Sequence, residues 1–433
     1  MNQYVRHLLS ILICTSALQL QGFDNAHFYR ATNFFLEPRL ERDYLTTVDV
    51  FAQAGSTSKG RDKEHETVKA FDIWGEHDMH ELAVGVPCKD LSNPLDLIIQ
   101  QLSSHPSRCV TSKDACKKQS KFATYSICAD FSISEVYLSF AQNFNRGFFM
   151  LFYLPIRRMK VDNISFCDIS PKDATCPNIN TPIWQLFKDN FCEILDRHCL
   201  SAEPISATNL GDVSIDIGWT HSFQRTEVID FVDTTFKFGI LIPSGQQKCE
   251  DQLFSFPSGY NGHTGFEMSA DLAFGAFDWL TLGSHFDALV FTNKTRDIRL
   301  KTGKAQSGII KLAKGCAKIE RGSQWMAGAY IKFDHFVRGL SLLLGYSFVN
   351  KGRDSVCPLD TEKFNVGIAN SDHELFGYKM HTLNFQFEYD FAHEDRVFGP
   401  RISAYYNKIV GGKRIFTTDV GGANIGLELA WDL

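Results

Sequence analysis

The chain has 433 residues, a net charge of −6 and 44% hydrophobic residues, with Lys and Arg interspersed among Asp and Glu. Such a balance leaves no basic footprint for a nucleic-acid partner, and no stretch past the N-terminus reaches the roughly 18 to 20 apolar residues of a spanning helix. Phe nevertheless occurs 37 times, so a membrane route would have to run through strands.

At the N-terminus Arg6 and His7 precede the mostly apolar run Leu8 to Leu18, which has the flanks and length of a secretory signal. Cleavage is expected between Ala17 and Gly22, giving a signal peptide over residues 1–22 and an N-terminal segment or plug over 23–42. Cys14 follows Ile13, where a lipoprotein signal wants a small residue, so lipidation is not expected. Phe28, Tyr29, Phe34, Phe35 and Leu36 make the next segment apolar enough to pack inside a barrel.

From residue 43 onward period-two alternation dominates. Val213, Ile215, Ile217 and Trp219 alternate with Ser214, Asp216 and Gly218, and Phe266, Met268, Ala270, Leu272 and Phe274 do so with Glu267, Ser269, Asp271 and Ala273. This pattern predicts strands over about 43–54, 65–75, 123–142, 147–169, 209–220, 229–243, 261–276, 279–300, 323–334, 339–350, 377–391, 398–409 and 415–433. Many have about the ten residues that a tilted strand needs to cross hydrocarbon. An even count requires one more ascending strand, for which Leu82 to Val86 is the candidate, giving about fourteen, with twelve as the fallback if the first two strands belong to a plug. The predicted fold is an all-β, transmembrane, antiparallel up-and-down β-barrel over 43–433, with helical loop or plug insertions at 76–121 and 170–208.

Connections alternate in length. Asn143 to Gly147, His221 to Val228, Phe277 with Asp278, His335 to Arg338 and His393 to Arg396 are short, whereas Ser170 to Thr208, Ser244 to Tyr260, Lys301 to Gly322 and Lys351 to Phe376 are long and polar. Outer-membrane barrels place short turns inside and long loops outside, so the second set is assigned to the exterior. Within 170–208, Ile183, Trp184, Leu186, Phe187, Phe191, Ile194 and Leu195 recur at helical spacing over Thr181 to Leu200, predicting an amphipathic helix packed on the mouth or folded into the lumen. Pro94 to Leu102 is a shorter candidate.

Eleven Cys residues follow the signal, mostly in loops, and an oxidising exterior favours their pairing. Cys109 with Cys116 and Cys167 with Cys176 are the local pairs the spacing suggests. None has C-x-x-C spacing, so neither a metal nor a cofactor is expected.

Phe148 to Ile156 is apolar on both faces, which requires lipid outside and a packed or greasy surface inside. Elsewhere the apolar face is assigned to lipid, because a charge there costs roughly 2 to 4 kcal/mol at the midplane. Asp216, Glu267, Asp271, His285, Asp287, Lys332, Asn384, Gln386 and Glu388 then line the lumen, which leans acidic. Tyr44, Trp219, Trp279, Trp325, Tyr378, Tyr405 and Trp431 lie near strand ends, as interfacial girdles would.

The chain ends with Ile425, Leu427, Leu429, Trp431 and Leu433 at alternate positions. Together with the signal and the strands, this terminus resembles a bacterial outer-membrane barrel and its C-terminal assembly signal, although it closes on Leu where that signal usually has an aromatic. Strand number and the N-terminal segment resemble, more distantly, the long-chain fatty-acid transporter barrels, whose N-terminus plugs the pore. The resemblance implies a bacterial outer-membrane location, contact with outer-membrane lipid and with the barrel-assembly machinery, and passive diffusion or uptake of a small or hydrophobic solute.

Catalysis is not expected. His285 and Asp287 share a strand face about 7 Å apart, but Ser284 points the other way and no nucleophile elbow accompanies them. Asp230 with Asp233 reads as a turn. The rival functions are a surface adhesin or structural outer-membrane protein working through the Cys-bearing loops, and a barrel lipid hydrolase.

Overall fold

The computed structural model describes residues 27–33, 44–78, 82, 124–169, 189–224, 229–277, 279–304, 306–337, 339–391 and 398–430. Within them twelve antiparallel strands close into a barrel: β1 Leu45–Thr57, β2 Thr124–Asn143, β3 Phe148–Asp168, β4 Val213–Gln224, β5 Phe231–Ile242, β6 Gly265–Ala276, β7 Leu280–Phe291, β8 Gln324–Val337, β9 Leu340–Lys351, β10 Lys379–Asp390, β11 Phe398–Lys413 and β12 Val420–Ala430. Each pairs with its neighbours in the chain, and β1 pairs with β12 from Leu45↔Ala430 to Ala54↔Gly421. The seam removes both sheet edges, which is how a sheet survives in hydrocarbon.

The short connections and both ends of the barrel segment share one rim. At that rim Gly147 takes φ +79° in the turn between β2 and β3, and a Cβ there would stand 1.9 Å from the Thr220 carbonyl oxygen, so the turn needs glycine. Long segments leave from the opposite rim. Between the rims the outer face is apolar: Val50, Leu138, Ile217, Phe238, Phe266, Leu282, Phe385, Phe387, Ile402 and Ile425 are all exposed. A closed barrel with such a belt is a transmembrane barrel of the outer-membrane kind.

The count is twelve, not fourteen. The expected strand over 65–75 is instead a three-residue strand, Thr67–Lys69, running into a 3₁₀ turn, Ala70–Asp72. Ala70, Phe71, Asp72, Ile73 and Trp74 are all buried in succession, leaving no face for lipid. The fallback reasoning also needs amending, because the first expected strand is barrel strand β1. Of the Leu82 to Val86 candidate only Leu82 lies within the described residues, and Pro94 to Leu102 lies outside them. The stretches expected at 279–300 and 415–433 each divide, into β7 plus a short strand Lys294–Arg299 and into Ile415–Phe416 plus β12.

Strands β2 and β3 have 20 and 21 residues, about twice what hydrocarbon requires. Their far ends carry the open end of the β2–β3 hairpin beyond the belt, where Arg158, Lys160 and Asp162 face outward and Ile205–Leu210 adds a strand. The Cys128–Cys167 disulfide ties this hairpin across its two strands. Cys167 thus pairs with Cys128 and not, as spacing suggests, with Cys176; adjacent strand positions, not loop proximity, set the partner. Cys109 and Cys116 lie outside the described residues. Helix α1, Phe191–Arg197, is the described part of the expected amphipathic helix, and it packs on the hairpin through Phe191, whose ring lies 4.4 Å from that of Phe166.

The largest hydrophobic core sits at the long-loop rim, not in mid-barrel. Phe28, Phe71, Trp74, Phe131, Phe256 and Phe416 meet there, edge to face or tilted, with centroid separations of 5.2–6.4 Å. Two three-stranded sheets surround it, one from Lys59–Arg61, Thr67–Lys69 and Ile415–Phe416, the other from Lys294–Arg299, Lys314–Glu320 and Ser355–Pro358.

Candidate functional site

Along the inner wall the antiparallel register collects the polar positions of adjacent strands. Gly218, Lys237, Ser269 and Asp287 stand side by side on β4 to β7, and below them lie Thr220, Thr235, Asp271 and His285. One step toward the loops, Asp216, Gly239 and Glu267 align. A Cβ on Gly239 would fall 1.7 Å from Asp216 Oδ1, so glycine makes room for that carboxylate. Asp216, Lys237, Glu267, His285 and Asp287 are all buried, which puts one lysine among four carboxylates counting Asp271.

The other sequence-derived positions sit elsewhere on the inner wall. Asn384 on β10 donates to the Thr32 carbonyl at 3.0 Å and to Asn407 Oδ1 at 2.8 Å, and accepts from Ser347 Oγ at 3.1 Å. Gln386 and Glu388 follow it on the same buried face. Lys332 on β8 pairs with Asp334 at 2.5 Å. Of the terminal set, Ile425 is 66% exposed on the outer face and Leu427 and Leu429 follow on the same side, whereas Trp431 and Leu433 lie outside the described residues. Two expected girdle residues are not at the interface: Tyr405 turns inward toward Gln53, and Tyr378 is buried at the mouth.

Residues 27–33 lie inside the barrel. Arg30 is fully buried, its Nε 2.7 Å from Glu135 on β2. Glu135 also receives Arg157 Nε of β3 at 2.5 Å, and Tyr137 and Gln53 donate to it. One carboxylate therefore stands between two guanidinium groups, and its lone pairs are fully used. Asn33 reaches Tyr137 and Asn407, Thr32 meets Met380 and Thr382, and the Phe28 carbonyl accepts from the Phe416 amide. A second buried ion cluster joins the seam: Arg401 Nη2 on β11 lies 2.8 and 2.7 Å from the two carboxylate oxygens of Asp49 on β1, and Nη1 lies 3.2 Å from Glu428 on β12. Sequence reading missed Glu135, Arg157, Asp49 and Arg401, although inward parity on β1, β2, β3 and β11 would have flagged them. It could not have flagged Arg30, which is on no strand.

The doubly apolar stretch at the start of β3 is resolved locally. Phe149 and Leu151 turn inward and cluster with Ala141, and Tyr153 stacks on Tyr137 at 5.4 Å. Phe148 faces outward.

At the mouth a cavity of about 190 Å³ opens between the aromatic cluster and the long loops. Its walls combine Phe28, Trp74, Phe256, Phe376 and Tyr378 with Lys248, Arg299, Lys311, Arg321 and Lys351. Glu374 accepts from both Lys311 and Lys248, and these cations hold its carboxyl at about 2, below the usual range, against the opposing effect of burial. Lys311 also pairs with Asp372, and Lys351 with Asp354 at 2.5 Å. His27 and His263 share the lining; burial lowers the first well below 6.5 and the second to about 4, so both imidazoles are neutral near pH 7.

No protein-family model and no curated protein matches the chain. Among solved structures, an outer-membrane channel from Pseudomonas putida F1 is similar with a TM-score of 0.48 at 9% identity, over 92% of this chain and 100% of that one. The translocator domain of the autotransporter NalP from Neisseria meningitidis is similar at 0.33 and 10% identity, over 99% and 96%. A Pseudomonas aeruginosa FadL homologue is similar at 0.25 and 8% identity, over 89% of this chain and 88% of that one. None reaches a TM-score of one half, and the assignment as an outer-membrane barrel rests on the closed register and the apolar belt.

Proposed function

We propose that this barrel is a diffusion channel for small or hydrophobic solutes, closed at its outer mouth in the form described here. One observation carries the reading: the apolar core that seals the molecule is confined to the long-loop rim, while the wall beneath it is polar across β4 to β10. A barrel meant only to be stable would gain by filling that bore with apolar side chains. Instead residues 27–33 occupy part of it through hydrogen bonds and an ion pair, contacts that water can replace when the segment shifts. We assign residues 23–42 the role of an internal plug, and the acidic band on β4 to β7 the role of lining the path on the far side. Solute would be admitted at the mouth cavity, pass the plug and leave at the short-turn rim.

Planar-bilayer recording tests this. The full chain is expected to give small, infrequent conductance steps, and Arg30→Ala to raise their size or frequency, because the plug loses its anchor on Glu135. Silence from both proteins, each shown to be folded by heat-modifiable migration, would leave the channel reading without support. A surface-binding role is the second reading, favoured by the disulfide-tied hairpin that rises beyond the belt; it is the one left standing by that silence.

A further inference from the structure

The mouth cavity has an uneven charge inventory. Every lysine on its wall is matched: Lys248 with Glu374, Lys311 with Asp372 and Glu374, Lys351 with Asp354. Arg299 lies 3.6 Å from Asp251 and spends its other donors on backbone carbonyls. Arg321 and Arg414 differ, for neither makes an ion pair with a described carboxylate. Arg414 donates to the Gly377 carbonyl at 3.2 Å and lies 5.0 Å from the Phe376 ring. Arg321 donates from Nη1 to the Tyr260 carbonyl at 3.5 Å, its Nε is buried with no hydrogen-bond partner, and its guanidinium lies 5.2 Å from the Tyr260 ring and 5.1 Å from the Phe291 ring. A guanidinium held against two rings keeps its charge while losing water, which raises its affinity for a planar anion.

On the same Tyr260 ring, 4.6 Å between centroids, rests His27. Its side chain is almost wholly buried and its Nε2 has no partner. The cavity thus presents two unpartnered nitrogens, Arg321 Nε and His27 Nε2, on groups that meet one tyrosine, and its lining also holds the aromatic side chains of Phe28, Trp74 and Phe376. We propose that this cavity binds a small carboxylate carried on an aromatic ring, with the carboxylate on Arg321 and His27 and the ring against the aromatic wall. The size agrees: a cavity of about 150 Å³ holds a benzene molecule, and this one has about 190 Å³. A long acyl chain would not fit within it. The assignment rests on the channel reading above, since it names the solute class that the mouth would admit.

Calorimetric titration of the full-length protein in detergent, with benzoate, benzyl alcohol and octanoate as probes, tests it. Benzoate is expected to bind at least about tenfold more tightly than benzyl alcohol, the difference that one charge-assisted bidentate contact supplies. It should also bind more tightly than octanoate. Arg321→Gln should erase the preference for benzoate over benzyl alcohol while leaving benzyl alcohol within about twofold. Equal affinities for benzoate and benzyl alcohol in the unaltered protein overturn the proposal, whatever the variant does, and so does octanoate binding as tightly as benzoate. Benzoate binding without conductance would refute the channel and keep the site; conductance without benzoate binding would do the reverse.

Discussion

Glu135 shows how much one buried carboxylate organises. It takes contacts from Arg30, Arg157, Tyr137 and Gln53, so it joins β1, β2, β3 and the lumenal segment at a point with no exposed atoms to share the load. Glu135→Gln leaves two guanidinium groups facing each other without a counter-charge, a change expected to cost about 3 to 5 kcal/mol. The segment is expected to give way before the barrel does. Limited proteolysis should therefore cut within 27–33 in the variant while the heat-modifiable gel shift persists; equal protection of the two proteins would show that Arg30 does not anchor the segment. At this scale the sequence was half legible. Period two told which side chains turn inward, as for Asp216 or Asn384, because parity is a local property. Who meets whom across the bore depends on closure, which no local pattern encodes.

Elements were legible where both faces had different solvents. Ten or more alternating residues, one side for lipid and one for the interior, gave β4, β6 and β10 within a few residues of their ends. Residues 65–75 misled because the stretch changes medium midway, largely exposed up to Lys69 and then buried on all sides from Ala70 to Trp74, and a wholly buried run carries no face signal. This mouth segment is clasped to the loop at 307–311: Ile309 donates its amide to His77 Nε2 at 3.0 Å, Ser307 donates to the Glu76 carbonyl, and His373 bonds the Trp74 carbonyl at 2.8 Å. Burial lowers the His77 imidazole to about 3 and raises the Asp72 carboxyl, 3.9 Å away, to about 6. The His77 contribution is complete above its unfolded value near 6.5 and is lost as pH falls toward about 3. For Asp72 the sign is opposite, since its raised value favours the folded form at low pH and that advantage disappears between about 4 and 6. The two offset each other over that window, so the clasp should hold until pH drops below about 4. Asp72→Asn removes the offset, and loosening should then begin near pH 6. Hydrogen-exchange protection of the Ile309 amide, corrected for intrinsic exchange, reads this directly; a flat profile in the variant would dismiss the clasp.

For the whole molecule, the belt decides the environment. Ile217, 64% exposed in mid-strand on β4, has only hydrocarbon to contact. Ile217→Arg should cost about 2 to 4 kcal/mol in folding into bilayers if it sits at the midplane. Ser214→Arg, facing inward on the same strand, should cost less. Urea titration of folding into lipid vesicles compares them, and equal penalties would mean that both faces meet the same medium. The architecture was legible because lipid outside and polar groups inside force one alternation along most of the chain. The alternation of loop lengths told which connections share a rim. The strand total was not legible, since insertions at the mouth borrow short strands that obey no membrane rule.

The seam between Leu45 and Ala430 ties the earliest-made wall of this cylinder to the latest-made one. Until β12 is made, the first stave has one flank without a mate, and the vessel cannot be sealed by a product that lacks it. Its tenant is tethered just ahead of that first stave, so it is already at hand when the last arrives. Truncating even the final strand would leave an open gutter rather than a smaller tube.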